Sequence, residues 1–150
     1  MTSRSDRRRV LGVDPGSRRI GIAIGVGPVA SPLTVIQRGR SLDEALRQVA
    51  AVAVQEEVER IVVGLPLRLD GSEGPAAKAA RDVVRGLARF TDVPVDVHDE
   101  RFTTVSADRA LMEAGLGARE RRGAVDKVAA AVMLQSWLDG PGSWGTDDAQ

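Results

Sequence analysis

Three acids in this chain stand where folding alone does not ask for an acid. Asp14 ends the apolar run Val10-Leu11-Gly12-Val13 and precedes Pro15-Gly16-Ser17-Arg18-Arg19-Ile20-Gly21. Glu100 follows the strand-like Val93-Pro94-Val95-Asp96-Val97-His98, within Asp99-Glu100-Arg101. Asp126 opens an alanine-rich helical stretch that runs from Val125 to Gln135. Carboxylates gathered at the ends of buried elements repel one another unless a cation sits between them. An all-oxygen cluster suits magnesium, and magnesium suits phosphate chemistry. Each acid alone has an ordinary reading. Asp14 closes a hairpin turn, Asp99-Glu100-Arg101 reads as a surface turn with a local ion pair, and Asp126 favours a helix dipole. On three separate elements, the set is hard to explain as coincidence.

Basic residues flank the acids. Up to residue 40, eight arginines face only Asp6 and Asp14, and the only lysines of the chain are Lys78 and Lys127. Arginine suits bidentate contact with phosphate. Arg119, Arg121 and Arg122 come just before the third acid and read either as a solvated cluster or as backbone-phosphate contacts. The formal net charge of zero gives no global sign of nucleic-acid binding. The absence of cysteine excludes disulfides and thiolate metal sites, and a lone His98 argues against a histidine zinc site. No apolar run reaches membrane-spanning length and no signal-peptide core precedes the first strand, so a cytoplasmic protein without a membrane partner is expected.

The elements that must position these residues follow from periodicity. The 150 residues, 43% hydrophobic but only 3% aromatic, are expected to form one domain over 10–139, with flexible tails at 1–9 and 140–150. Strands are expected at 10–14, 20–26, 33–37, 61–64 and 93–98. Helices are expected at 42–58, capped by Ser41, from Pro75 to about residue 90, from Thr103 or Thr104 to about Ala114, and over 124–138. A loop spans 115–123. Gly16 and Gly21 permit a tight turn and the close approach of a backbone or a phosphate. The order gives an α/β fold, a five-stranded mixed sheet with helices on both faces. Ligands of such sheets gather beyond the strand ends. Asp14, Glu100 and the long loop 65–74 all fall there.

Four blocks of sequence then resemble one family in order. They are Val13-Asp14-Pro15-Gly16-Ser17-Arg18-Arg19-Ile20-Gly21, Val62-Val63-Gly64-Leu65-Pro66-Leu67 with Asp70-Gly71-Ser72-Glu73-Gly74, Asp99-Glu100-Arg101-Phe102-Thr103-Thr104, and Val125-Asp126-Lys127-Val128-Ala129-Ala130. Together they resemble the YqgF/RuvX family across roughly residues 10–139. The resemblance implies an RNase H-like fold. It also implies a magnesium- or manganese-dependent nuclease whose catalytic and metal-binding triad is Asp14, Glu100 and Asp126. Two ions about 3.5–4 Å apart would serve such chemistry. Arg19, Arg68 and Arg101 are expected to position phosphates, joined by Arg119, Arg121 and Arg122. Arg68 stands where a small polar residue is common in the family. Glu100 has to reach back over roughly two strand spacings of about 4.8 Å, and Asp99 is the alternative ligand.

The family is described both as the nuclease that matures the 5′ end of small-subunit (16S) ribosomal RNA and as a Holliday junction resolvase. The RNA role is the preferred expectation, with precursor rRNA as partner, branched DNA as the alternative, and contact with the ribosome or pre-ribosome open. A non-catalytic RNA- or ribosome-binding module is a further reading. An actin-like ATPase lobe shares the Asp-x-Gly opening but needs a second lobe to enclose a nucleotide. The oligomer is open between monomer and homodimer.

Overall fold

A computed structural model describes residues 8–101, 118–140 and 143–144, with side chains of the last helix described from Asp126 onward. The chain opens with three strands, β1 (Arg9–Pro15), β2 (Arg19–Val26) and β3 (Val29–Gln37). Helix α1 (Leu42–Gln55), strand β4 (Arg60–Leu65), helix α2 (Pro75–Leu87), strand β5 (Val95–Asp99) and helix α3 (Ala118–Asp139) follow. The five strands form one sheet in the order β3-β2-β1-β4-β5. The pairs β1–β2 and β2–β3 are antiparallel, while β1–β4 and β4–β5 are parallel. This is the mixed sheet expected from the sequence, with helices on both faces.

The strand alternation explains the two faces. Leu11, Val13, Ile20, Ile22, Ile61 and Val63 pack against Ala45, Leu46 and Val49 of α1 and Val83 and Leu87 of α2. The other face carries Val10, Ala23 and Val62 beneath Ala130, Met133, Leu134 and Trp137 of α3. That second face is cut low by glycines. A Cβ at Gly12 would stand 2.9 Å from the Cβ of Leu134, so α3 lies closer to the sheet than a larger residue would allow.

Local chemistry sets the boundaries. The Ser41 side chain accepts from the Glu44 amide at 3.3 Å and caps α1. The helix stops at Gln55 rather than 58, where Glu57 takes a positive φ of 54°. Strand β3 begins at Val29, four residues earlier than expected. It tolerates Pro32 because it is an edge strand with a register shift opposite Ile22 and Ala23. Helix α3 already runs from Ala118, so Arg119, Arg121 and Arg122 belong to a helix and not to a loop. The Ala-Arg-Glu-Arg-Arg segment is made of strong helix formers, and one interior glycine, Gly123, costs a helix only about 1 kcal/mol. The expected helix after Thr103 lies outside the described residues.

At the end of the sheet away from the acids, Trp144 is only 7% exposed. It meets Trp137 edge-on at 5.4 Å and has the Arg8 guanidinium 4.5 Å from its ring centre. A second guanidinium, Arg60, lies 5.7 Å from the same ring and is bound to Asp96 at 2.6 Å. Residues at both ends of the chain thus fasten the start of β1 and β4. Trp144→Ala should cost about 3 kcal/mol and lower the melting temperature by roughly 6–12 °C. A thermal melt with no change would show that Trp144 contributes nothing to the fold.

Candidate active site

The site lies at the carboxyl ends of β1, β4 and β5. Asp14 stands on β1 opposite Gly21 of β2. The turn behind it is held by the Gly16 amide on the Arg19 carbonyl at 3.0 Å and by Arg38, which donates to the Gly16 carbonyl at 2.9 Å. Asp14 and Glu100 are bound to each other by a hydrogen bond between their carboxyl groups.

Glu100 reaches Asp14 across β4 because β4 has no side chain in the way. Its amide donates to the Leu65 carbonyl at 3.1 Å, which fixes its backbone at the end of β4. A Cβ built on Gly64 would overlap the Glu100 carboxyl group. Glycine in a buried strand marks such an approach. The fallback ligand is not used for this. Asp99 instead accepts from the Arg101 amide at 2.9 Å and from Arg101 Nε at 2.7 Å.

Asp126 arrives from the opposite side by the same means. A Cβ on Gly21 would fall on the Asp126 carbonyl oxygen, so α3 rests directly on the β2 backbone. This is the close backbone approach expected at Gly21. The three acids from β1, the end of β5 and α3 are therefore brought together, and the charge of Asp126 is felt at Asp14. The Asp126 carboxylate itself is ion-paired to Arg19 at 2.5 Å. Among the described residues, no group of three acidic or histidine side chains stands as a ready-made metal cage.

The electrostatics follow from this crowding. Burial is the largest reason that the Glu100 carboxyl is pushed up to about 9, followed by the negative charge of Asp14 and their hydrogen bond. Burial also raises Asp14; the hydrogen bond from Glu100 opposes that rise and the charge of Asp126 adds to it. At neutral pH Glu100 therefore keeps its proton and donates it to the Asp14 carboxylate. A proton occupies the place between two acids where a cation would otherwise relieve the repulsion. The donor set is all oxygen, and it fits a hard divalent ion.

The arginines are distributed differently from the expectation that groups them as phosphate contacts. Arg19 is on Asp126, and Arg101 is on Asp99 with a longer contact to the Leu69 carbonyl at 3.4 Å. Arg68 lies over Gly74, where a Cβ would come 3.0 Å from its Nε. The loop beneath it is tied by the Arg68 amide to the Ser72 carbonyl at 2.9 Å and by Asp70 to Ser72. The side chains of Arg119, Arg121 and Arg122 lie outside the described residues. Sequence reasoning assigns no role to Gly64, whose signal is a glycine inside an otherwise apolar strand. His98, given no catalytic role, bonds Ser136 of α3 at 3.0 Å.

Comparison with known proteins agrees with this architecture. The family described as "RuvX: Holliday junction resolvase" matches residues 8–140, and the chain belongs to it. A protein of Anaeromyxobacter sp. (strain Fw109-5), named "Putative pre-16S rRNA nuclease", is 50% identical over 134 residues, covering 88% of this chain and 97% of its own. A Myxococcus xanthus (strain DK1622) protein with the same name is 44% identical over 133 residues, covering 87% of each chain. Among solved structures, "T. thermophilus RuvC in complex with Holliday junction substrate" has a TM-score of 0.53 at 21% identity, over 85% of this chain and 92% of that one. That likeness shows the fold, which is RNase H-like.

The buried proton gives a test of the geometry. The folded metal-free protein holds the Glu100 proton, whereas the unfolded chain releases it above about pH 4.5. The native state therefore binds more protons, and stability should fall as pH rises from about 4.5 to about 9. Denaturant titrations in EDTA across that range should show the fall, and Glu100→Gln should flatten it. Gly64→Ala should flatten it too, because its methyl group expels the Glu100 carboxyl without meeting backbone. An unchanged slope in both variants would show that Glu100 is not the buried proton carrier.

Proposed function

We propose that this member of the RuvX family is a divalent-metal-dependent nuclease that hydrolyses phosphodiester bonds near the 5′ end of a small-subunit ribosomal RNA precursor. The observation that supports the chemistry is the contact of Asp14 with Glu100 at the end of the sheet, with Asp126 close enough for its charge to be felt at Asp14. The names of relatives 44–50% identical over nearly the whole chain support the RNA substrate.

In this reading Asp14, Glu100 and Asp126 would hold magnesium or manganese, which would supply activation of a water and stabilisation of the leaving oxygen. Asp14 is the central ligand, since it contacts Glu100 directly and feels Asp126. Glu100 would hold the ion as a carboxylate, with its proton released to water. The Asp14 turn, braced by Arg38, keeps the ligand at the strand end instead of letting it drift with the loop. Arg68 and Arg101 stand on the 65–74 loop side and contribute positive charge for the flanking phosphates. Arg119, Arg121 and Arg122, on the turns of α3 that precede Asp126, extend that charge along the backbone of the substrate.

A second substrate has a specific observation in its favour, namely the description of the family as a Holliday junction resolvase. It uses the same acids on a four-way DNA junction.

The test is cleavage with mapped products, comparing a precursor rRNA 5′ region with a synthetic four-way junction, in magnesium or manganese. The rRNA should be cut and the junction spared. Asp14→Asn should lower the rate by on the order of 10³ or more, because it removes several kcal/mol of transition-state charge stabilisation while keeping the side chain's shape. Wild-type rates in that variant would sink the triad assignment. Cleavage of the junction alone would replace the RNA reading with the DNA one.

A further inference from the structure

The third acid is held by an arginine of the same site. Arg19 Nε donates to Asp126 Oδ2 at 2.5 Å, and the two side chains are 33% and 24% exposed. The Arg19 backbone is fixed twice. Its carbonyl accepts from the Gly16 amide at 3.0 Å, and its strand position is paired with Gln37. The Asp126 backbone is equally fixed, with its carbonyl against Gly21. The two side chains are both partly open to solvent, at 33% and 24%.

We infer that Arg19 is a substrate-operated latch: it holds Asp126 until a nucleic-acid phosphate takes the guanidinium, and the released carboxylate then completes the metal site. This inference rests on the nuclease reading above and adds the order in which the site is assembled. Three observations support it. Arg19 opens β2 directly after the turn that follows Asp14, with its carbonyl bound to the Gly16 amide of that turn. A guanidinium takes phosphate oxygens two at a time, which a single bond through Nε to Asp126 does not match. The guanidinium also occupies Asp126 Oδ2, so a divalent ion bound through that oxygen would have to share it with Arg19 or displace it. The neighbouring pair, Arg101 with Asp99, differs because Asp99 is not one of the acids at Asp14. Asp99 reaches the site only through its charge, which acts on Glu100.

Coupling of this kind is reciprocal. Phosphate binding tightens metal binding, metal binding tightens phosphate binding, and both effects pass through one residue. An enzyme so arranged keeps an incomplete metal site until nucleic acid is present, which limits idle loading.

The experiment is calorimetric titration of Mn²⁺ into the full chain, with and without a short phosphorothioate RNA that resists hydrolysis. Wild type, Arg19→Gln, Arg19→Lys and Asp14→Asn are compared. Without RNA, Arg19→Gln should bind Mn²⁺ more tightly than wild type, on the order of tenfold, within the ordinary range of coupling between sites. Arg19→Lys should fall between, since it keeps the charge and loses the planar fork. With RNA, wild type should gain affinity for Mn²⁺ and Arg19→Gln should gain clearly less. Equal or weaker Mn²⁺ binding by Arg19→Gln, or an equal gain from RNA in both proteins, would overturn the latch while leaving the nuclease reading intact. If Arg19→Gln does not fold, Arg19→Lys decides alone, by binding Mn²⁺ more tightly than wild type or not. Mn²⁺ binding unaffected by Asp14→Asn would instead remove the metal site itself, and the latch with it.

Discussion

Bringing Asp14 and Glu100 into contact beside a buried sheet, with the charge of Asp126 felt at Asp14, is the constraint that the rest of this structure answers. Folding has to concentrate negative charge where water is scarce, which raises the free energy of the ionised acids. Two missing side chains make the convergence sterically attainable. Gly64 clears the path of Glu100 across β4, and Gly21 lets α3 lie on β2 so that Asp126 arrives from the other side. Electrostatic relief comes from within the chain as well. The raised Glu100 carboxyl favours a proton shared with Asp14, and the Arg19 guanidinium pairs with Asp126.

The division of labour between the sheet faces follows from the same constraint. The face beneath α1 and α2 is filled by Leu, Ile and Val, the branched side chains that bury most apolar area for their length. That bulk lets the other face give up side chains. Gly12, Gly21 and Ala23 sit under α3, whose own contact residues include Ala130 and Ala131. The lost volume is partly recovered at the far end, where Trp137 and Trp144 pack together and Arg8 and Arg60 lie against the Trp144 ring.

Much of this is legible in the sequence. The apolar run before Asp14, the strand-like stretch before Glu100, the Ser41 cap and the spacing of Ala45, Leu46, Val49, Ala50 and Ala53 all follow local rules, and the structure carries them out. The close approach at Gly21 is readable because Gly, Asp and Arg cluster there. The reach of Glu100 is not. It depends on β4 lying between β1 and β5, and on Gly64 sitting at the height of the carboxyl, which is a property of register between strands distant in sequence. Helix α3 is longer than its apolar pattern suggests because its first turns are arginine-rich, so periodicity gives no signal while propensity does. Trp144 gives no local signal at all, since its partners Arg8 and Arg60 lie at distant positions in the chain.

The claim on which the account depends is that these three acids are one cation site held closed by a proton and an arginine. Anomalous diffraction from crystals grown with Mn²⁺ tests it most directly. The account predicts an anomalous peak in contact with both Asp14 and Glu100, with their mutual hydrogen bond broken. A manganese peak elsewhere, with the bond between Asp14 and Glu100 intact, would contradict it.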